Sequence, residues 1–250
     1  MAWEKELELA ILAAQRAGLL LCDAFRAQKT VLFEDAQDIK LQADRDAEDA
    51  ILEVLKNTPH DILAEESGEH GALDGTKPIW LIDPLDGTLN FSRNVPLCCV
   101  SIALYEGGEP ILGVIYEFMR GDLFSGVVDE GAWLNHAPMR VSSIGEARQG
   151  ILASGFPMNY HYDTAGLQQY IDDVRRFRKL RLYGSAALSL AYVACGRVDA
   201  YLEDDIMWWD IAGGLALVKA AGGYAHMEDS GTAKWAKKVR CAAQRSIWET

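Results

Sequence analysis

The sequence predicts a mixed α/β protein, and three patterns lead to this prediction. Apolar residues between Leu7 and Phe25 recur every three or four positions, which indicates a long amphipathic helix. Short apolar runs bounded by turn residues follow between residues 62 and 127, and such runs are typical of β-strands. From Ile151 onward strand and helix patterns alternate, which favours a sheet with helices packed on it.

The N-terminal half continues after the first helix through a polar break at residues 29–37. Asp44 begins or directly precedes a second helix, because Ala47, Ile51 and Val54 share one face at helical spacing. The strands predicted after it lie near residues 62 and 80 and at 98–105, 111–118 and 122–127, with a hairpin turn at 106–109.

The C-terminal half has a different pattern, in which strands alternate with helices. The predicted order is a strand at 151–154, a loop at 155–157, a helix carrying Leu167, Ile171 and Val174, a strand at 180–183, a helix at 185–195, a strand at 198–202 and a helix at 210–221. The boundary near residue 148 is soft, because no flexible linker marks it. We therefore expect two intimately joined lobes, residues 1–148 and 149–250.

Composition excludes several classes of protein. The 250 residues are 50% hydrophobic, which is enough for a substantial core. The formal net charge of −13 argues against binding to nucleic acid or to an anionic membrane, since those surfaces attract basic proteins. Five cysteines without C-x-x-C spacing indicate reduced thiols and a cytoplasmic protein. The acidic N-terminus is unlike a signal peptide, and no apolar run reaches the roughly 18 residues of a membrane-spanning helix.

The most informative segment is residues 80–91, where an apolar run ends in two aspartates three positions apart. Pro84 has no N–H to donate, so the strand should stop there and leave Asp83 and Asp86 close together. Two like charges about 4 Å apart repel by roughly 4 kcal/mol at an effective dielectric constant of 20, so they need a cation, a shared proton or full hydration. The glycine and threonine that follow suit a phosphate group. The same letters also make a good turn, so alone they leave a purely structural role open.

Further carboxylates lie far from this segment in the sequence. Glu65 and Glu66 close the apolar stretch around residue 62, and Asp210 opens the last predicted helix. Oxygen ligands favour Mg²⁺ or Mn²⁺ over zinc, and no cluster of His or Cys competes with them. The sequence therefore predicts a divalent-metal site built from Glu65, Asp83, Asp86 and Asp210.

Together these motifs resemble the inositol monophosphatase family of metal-dependent, lithium-sensitive phosphatases. The residues that carry the resemblance are Glu65-Glu66, the run Asp83-Pro84-Leu85-Asp86-Gly87-Thr88 with Asn90-Phe91 after it, and the run Trp209-Asp210-Ile211-Ala212-Gly213-Gly214. The similarity extends in order and spacing from about Leu7 to about Ile247. It implies a layered α-β-α-β-α sugar-phosphatase fold, a homodimer, and a Mg²⁺-dependent phosphomonoesterase that acts on small polyol or sugar phosphates.

The resemblance also implies a role for each motif residue. It implies a site with two or three metal ions. The first ion would be held by Glu65, Asp83 and the carbonyl of Leu85. The second would be held by Asp83, Asp86 and Asp210. Gly87 and Thr88 would contact phosphate, and Thr88 with Asp44 would orient or deprotonate the attacking water. Asp44, Thr88 and Glu65 are therefore the catalytic candidates. An aspartate beside a helix start is usually a cap, which is the structural alternative for Asp44.

The leaving group is expected against the C-terminal half. By position, the residues that match the polyol site of the family are Gly184, Ser185, Ala186 and Glu203. Glu203 could accept hydrogen bonds from sugar hydroxyls, and a solvated acid at a strand end is the equal alternative.

Two segments depart from the family pattern. Phe33-Glu34-Asp35 stands near the place where many members carry a lysine, which puts a third metal in doubt. Ser92-Arg93 replaces a pair whose second residue is often histidine, so substrate contacts are expected to differ. Arg93 and Arg181 are candidate contacts to a second anion or to another subunit, with a surface ion pair as the alternative.

Other functions stay open from the sequence. Fructose bisphosphate and histidinol phosphate are rival substrates within the same family. A different class of function is a catalytically silent protein that binds metal or phosphate and acts through association. The intact set of acidic residues favours the enzyme.

Overall fold

Two large β-sheets, a small hairpin and the helices around them form the fold. The computed structural model describes residues 2–35, 39–156 and 164–249. The helices in these ranges are α1 (Glu4–Ala24), α2 (Gln42–Leu55), α3 (Thr88–Ser92), α4 (Thr164–Arg175), α5 (Ala186–Ala194) and α6 (Trp208–Ala220). The strands are β1 (Val31–Glu34), β2 (Ile39–Leu41), β3 (Asp61–Ala64), β4 (Gly68–His70), β5 (Ile79–Asp86), β6 (Cys99–Glu106), β7 (Glu109–Glu117), β8 (Asp122–Val127), β9 (Gly131–Leu134), β10 (Ala137–Pro138), β11 (Ile151–Ser154), β12 (Lys179–Arg181), β13 (Ala200–Met207), β14 (Tyr224–Asp229) and β15 (Ala236–Ala242).

The larger sheet has eight strands in the order β10-β9-β8-β7-β6-β5-β3-β4. Its neighbouring strands are antiparallel except for β3 and β5, which run parallel. The second sheet has the order β12-β11-β13-β15-β14. In it β11 is parallel to β12 and β13, and the other pairs are antiparallel. The strands of the larger sheet thus precede those of the second sheet in the sequence.

Alternate residues of β5 face different cores, and this shows how the layers stack. Trp80 and Ile82 are buried together with residues of α1 and α2, whereas Leu81 is buried with residues of α5 and α6. Tyr201 of the second sheet belongs to the same core as α5 and α6. Val174 of α4 packs on a third cluster, on the outer side of the second sheet. The layers therefore follow the order α-β-α-β-α, and the fold prediction is confirmed.

The strand β5 does not stop at Pro84, so this part of the prediction is wrong. The strand runs on to Asp86, with Asp83 opposite Ser101 and Asp86 opposite Cys99. Three positions along β5 thus match two along β6, which is a β-bulge. A bulge leaves a residue out of the hydrogen-bond ladder, and proline is tolerated there because it has no N–H to pair. Both aspartates therefore stay within the strand.

Several strands lie where the sequence analysis expected none. β1 lies inside the predicted polar break and pairs with β2, which follows the break, and β14 and β15 extend the second sheet after the last predicted helix. These strands are short or mixed in polarity, so they lack the regular alternation on which a strand prediction depends. The helix predicted from residue 210 begins at Trp208. In the predicted loop at 155–157, Pro157 lies outside the described residues.

The structure can be compared with two expectations from the sequence, one about membrane-spanning helices and one about the cysteines. Among the described helices, none has both the length and the apolar character that crossing a bilayer demands. The cysteines carry free thiols, and Cys98, Cys99 and Cys241 are buried in the core.

Helix α6 packs closely on the larger sheet through paired glycines. A Cβ atom on Gly113 of β7 would lie 2.3 Å from the carbonyl oxygen of Gly213 on α6. A Cβ atom on Gly213 would in turn lie 2.7 Å from the Oγ of Ser101. These glycines set the height of α6 above the sheet, and with it the position of Asp210.

We expect Gly113→Ala to lower the free energy of unfolding, because the added methyl group meets a backbone carbonyl that no side-chain rotation can move. Overpacking of this kind costs about 1–3 kcal/mol. Urea denaturation followed by circular dichroism measures the change. Gly145→Ala is the control, since the nearest atom to its Cβ is the Oγ of Ser246 at 3.2 Å. An equal loss of stability in both variants would contradict the role of the glycine contact.

Candidate active site

The carboxyl ends of β3 and β5 lie side by side because these strands are parallel neighbours. Ala64 is paired with Ile82, so Glu65 follows β3 at the level where β5 reaches Asp83. The N–H of Glu65 donates to the carbonyl oxygen of Ile82 at 3.1 Å, which holds the two ends together. Glu65 and Asp83 therefore meet at one edge of the larger sheet.

Asp210 reaches the same point from α6, where it is the third residue of the helix. Carboxylate oxygens of Glu65, Asp83 and Asp210 all lie within 4.8 Å of one another. A carboxylate in the first turn of a helix is favoured by the helix dipole, which offsets part of the repulsion that Asp210 meets here. Strand ends and a helix start thus bring three distant acids together.

Burial and mutual repulsion raise the pKa values of these three carboxyl groups above their usual range. Desolvation is the largest cause for each of them. The charge of Glu65 then raises the pKa of both Asp83 and Asp210, and the charge of Asp86 acts in the same direction. Each of these carboxyl groups therefore favours a bound proton, or a cation in its place, over an uncompensated charge.

Asp86 is held by the N-terminus of α5, in the other half of the chain. Its Oδ2 accepts hydrogen bonds from the hydroxyl of Ser185 at 2.5 Å and from the N–H of Ala187 at 2.6 Å. Its Oδ1 accepts a longer one from the N–H of Ala186 at 3.3 Å. Ser185 also caps α5, because its Oγ accepts from the N–H of Leu188. The hydroxyl of Ser185 is therefore already engaged in orienting Asp86.

Asp44 and Thr88 form a hydrogen-bonded pair beside the acidic cluster. The Oγ1 of Thr88 lies 3.0 Å from the Oδ1 of Asp44 and 2.9 Å from the carbonyl oxygen of Leu85. A hydroxyl has one proton, so Thr88 donates to one of these acceptors at a time. The Oδ2 of Asp44 accepts from the N–H of Leu41 at 2.8 Å, so Asp44 also caps α2. Burial raises the pKa of Asp44 to about 7, which allows proton exchange near neutrality.

A cavity of about 320 Å³ brings these groups together. The predicted metal and phosphate residues that line it are Glu65, Asp83, Leu85, Asp86, Gly87, Thr88 and Asp210. Gly87 has a φ of 91°, and a Cβ atom there would lie 2.8 Å from the carbonyl oxygen of Leu97, so the position requires glycine. Glu34 and Asp35 also line the cavity, so the segment that differs from the family adds negative charge to it.

A second cavity of about 260 Å³ adjoins the first, since Asp86 and Gly184 line both. It contains the other residues of the predicted leaving-group site, which are Ser185, Ala186 and Glu203. Glu203 is 8% exposed and accepts a hydrogen bond from the hydroxyl of Tyr201 at 2.5 Å, so it is not a solvated acid. Burial raises the pKa of Glu203 to about 7.

Sequence reasoning missed two side chains that support this site. Glu48 on α2 accepts hydrogen bonds from the N–H groups of Glu66 and Ser67 at 2.9 and 2.8 Å. Lys40 on β2 forms an ion pair with Glu66 at 2.7 Å. The spacing of four residues between Asp44 and Glu48 was the available signal, because it places both on one helix face.

Arg93 and Arg181 stand apart from the site. Both are exposed, and neither lines either of the two cavities. The guanidinium of Arg181 donates to the carbonyl oxygen of Leu180 at 2.9 Å.

The donor set suits a divalent cation that prefers oxygen ligands. Carboxylates of Glu65, Asp83 and Asp210 converge, and Asp86 and the carbonyl of Leu85 line the same cavity. The thiol of Cys99 lies 3.8 Å from Asp86, and burial raises its pKa well above the usual range, so it stays protonated and ligates poorly. A divalent cation that prefers oxygen ligands therefore fits this site better than a softer metal.

Known proteins agree with this architecture. The sequence profile of the inositol monophosphatase family matches residues 2–249. The Nus factor SuhB of Pasteurella multocida is 38% identical over 227 residues, which cover 87% of this chain and 83% of that protein. Inositol monophosphatase 3 of Solanum lycopersicum is 36% identical over 233 residues, 88% of this chain and 85% of that protein. The solved structure of the inositol monophosphatase from Anabaena has a TM-score of 0.81 and 33% identity, and the match covers 100% of this chain and 98% of that one. The chain therefore belongs to the inositol monophosphatase family of phosphoric monoester hydrolases, as its motifs predicted.

Proposed function

We propose that the protein is a Mg²⁺-dependent phosphomonoesterase that hydrolyses small polyol or sugar phosphates, with inositol monophosphate as the leading substrate. The observation that carries the proposal is the convergence of Glu65, Asp83 and Asp210, whose carboxylate oxygens lie within 4.8 Å of one another beside a cavity. Acids buried at this spacing are unfavourable unless cations or protons balance them. Hydrolysis of a phosphate ester in turn demands stabilisation of negative charge.

The ion-binding roles follow the resemblance and gain support from the geometry. The residues proposed for the first ion are Glu65, Asp83 and the carbonyl of Leu85, and those for the second are Asp83, Asp86 and Asp210. The hydroxyl of Ser185 and the N–H of Ala187 engage the Oδ2 of Asp86 strongly, whereas its Oδ1 has one longer bond and remains the better electron-pair donor to an ion. Bound Mg²⁺ would neutralise charge on the phosphoryl oxygens and lower the pKa of a water molecule.

Thr88 and Asp44 are proposed to orient the attacking water and to take its proton. The hydroxyl of Thr88 can accept a hydrogen bond from water while it donates to Asp44 at 3.0 Å. A proton that reaches Thr88 can therefore pass on to Asp44. A carboxyl group with a pKa of about 7 is matched to proton transfer at neutral pH.

The polyol is proposed to occupy the second cavity, next to Glu203. The carboxylate of Glu203 accepts from the hydroxyl of Tyr201 and from the N–H of Gly155, and its remaining lone pairs are acceptors for sugar hydroxyls. Ser185 is expected to orient Asp86 and not to contact the polyol, because its hydroxyl already donates a hydrogen bond to Asp86.

A second candidate function is association with a partner protein without turnover. The 38% identity with a protein named Nus factor SuhB favours this possibility. Phosphate release from a defined ester separates the two functions. A homodimer and a cytoplasmic location stay predictions that follow from the resemblance and the composition.

The wild-type protein should release inorganic phosphate from inositol monophosphate when Mg²⁺ is present, and Li⁺ should inhibit the release. A panel with fructose bisphosphate, histidinol phosphate and nucleotide phosphates, assayed with and without the ion, identifies the preferred ester.

Asp210→Asn should abolish turnover because it removes a charge from the cluster, while circular dichroism shows a folded protein. Wild-type rates in this variant would overturn the metal assignment.

Thermal stability of the metal-free protein should fall as the pH rises from about 5 to about 8. The carboxyl groups of Asp44 and Glu203 titrate near 7 in the folded protein, and those of the cluster are also raised. The unfolded chain releases these protons near pH 4, so over this window the folded state binds more protons and loses stability with pH. Mg²⁺ competes with the protons, so its addition should raise the melting temperature more at pH 8 than at pH 5.5. Scanning fluorimetry with EDTA or excess Mg²⁺ at fixed ionic strength tests this, and a gain independent of pH would contradict it.

Asp44→Asn should lower kcat by about 10²–10⁴-fold, because an amide cannot take the proton of the attacking water. Mg²⁺ affinity should change little, since Asp44 is not a proposed ligand. Steady-state kinetics and calorimetric titration with Mg²⁺ separate the two effects. Asp49→Asn is the control, because it removes the same charge from an exposed position on α2. Equal kcat values in the two variants would remove Asp44 from the proposed mechanism.

A further inference from the structure

Glu48 is a buried carboxylate to which the proposed reaction assigns no role. It is 3% exposed and lies on α2, one helical turn after Asp44. Its Oε2 accepts from the N–H of Glu66 at 2.9 Å, and its Oε1 accepts from the N–H of Ser67 at 2.8 Å. Hydrogen bonds from neutral donors to a carboxylate are strong, and here each oxygen has one. The pair of bonds fixes the backbone directly after Glu65.

The backbone on both sides of Glu65 is thereby held. Its own N–H donates to the carbonyl oxygen of Ile82 at 3.1 Å, and the two N–H groups that follow donate to Glu48. The side chain of Glu66 is 4% exposed and pairs with Lys40 at 2.7 Å. The main chain at Glu65 therefore has little freedom, and its side chain leaves the strand end in a defined direction, toward the acidic cluster.

Helix α2 ties together the two strand ends that supply the cluster. Its Asp44 contacts Thr88, which follows β5, and its Glu48 contacts the turn that follows β3. The two acids are four positions apart, so they lie on the same helix face. Since β3 and β5 are parallel neighbours, one helix face spans both ends.

We propose that Glu48 is a positioning residue for the metal site, which holds Glu65 in the orientation that binds Mg²⁺. This inference rests on the proposed function. Without the contact, the chain after β3 would have to be ordered when the ion binds, at a cost in conformational entropy. Loss of groups that orient metal ligands typically weakens metal binding by about 10–100-fold.

Two substitutions separate geometry from charge. Glu48→Gln keeps the size of the side chain but turns an NH₂ group toward a backbone N–H. Glu48→Asp keeps the charge but is one methylene too short to reach both N–H groups. The control is Glu53→Gln, which removes the same charge from an exposed position on α2.

Both variants at position 48 should weaken Mg²⁺ binding, measured by calorimetric titration, by about tenfold or more. The Mg²⁺ concentration for half-maximal phosphate release should rise by the same factor. The KM for the ester at saturating Mg²⁺ should stay within about twofold of the wild-type value, because Glu48 touches no proposed substrate group. Glu53→Gln should match the wild type in all three measurements.

The possible outcomes distinguish this inference from the proposed function. Wild-type Mg²⁺ affinity in both variants would overturn the inference alone. Normal affinity in Glu48→Asp with a loss in Glu48→Gln would show that only the charge matters, which also overturns it. A wild-type protein that binds no Mg²⁺ would overturn the proposed function and the inference with it.

Amide hydrogen exchange gives a test that does not depend on the variants folding. In the metal-free wild-type protein the N–H groups of Glu66 and Ser67 should be protected, because Glu48 accepts from both before any ion binds. Exchange at the rate of an exposed loop would overturn the inference.

Discussion

Repulsion among closely spaced, largely desolvated carboxylates is the constraint on which the rest of the structure depends. Glu65, Asp83 and Asp210 approach within 4.8 Å of one another, and burial raises the pKa of each. A single strand or helix could not hold them there. The parallel pair of β3 and β5 brings two of them to one edge, and the close packing of α6 on the sheet delivers the third. Most of the other contacts near the site serve to keep this unfavourable arrangement in place.

Neutral hydrogen-bond donors, more than basic side chains, stabilise the acids around the cluster. Asp86 accepts from the amides and hydroxyl at the start of α5, Asp44 accepts from the backbone of its own helix start, and Glu48 accepts from the turn after β3. Backbone dipoles orient a carboxylate without cancelling its charge. Lys40 does carry a charge, but it is paired with Glu66. The carboxyl groups of the cluster are therefore balanced by protons or by a cation.

The sequence was informative where a feature is local. The run from Asp83 to Thr88 showed two acids and a glycine in one segment, and the two glycines at positions 107 and 108 marked a hairpin that the structure contains. The end of β5 could not be predicted from the proline rule, because the rule does not include the pairing with β6, against which β5 forms a bulge at the proline. β15 pairs with β13 and β14 pairs with β15, and the composition of these strands does not show this pairing.

The candidate site shows the same division between local and distant information. Asp210 was grouped with Asp83 because both supply carboxylate oxygens, and the resemblance supported this grouping, since a helix start and a strand end have no shared sequence pattern. Glu48 was missed for a further reason. Its partners are backbone N–H groups of another segment, and every residue except proline has one, so the sequence does not reveal these partners. Its position four residues after Asp44 places it on the same helix face, but this spacing alone does not identify the groups that it contacts.

The contact between Asp86 and Ser185 joins residues 99 positions apart, and this separation bears on how the protein acquires its activity. Bringing together residues so far apart in the sequence costs conformational entropy before their contact stabilises the chain, so contacts of this kind are expected to form late in folding. A ribosome-bound chain in which only the larger sheet has formed would have Asp83 and Asp86 in water, without α5 or α6 against them. The third carboxylate of the cluster, Asp210, joins the other two only after α6 has been synthesised and has docked. The complete set of carboxylates is therefore assembled only when both halves of the chain are present.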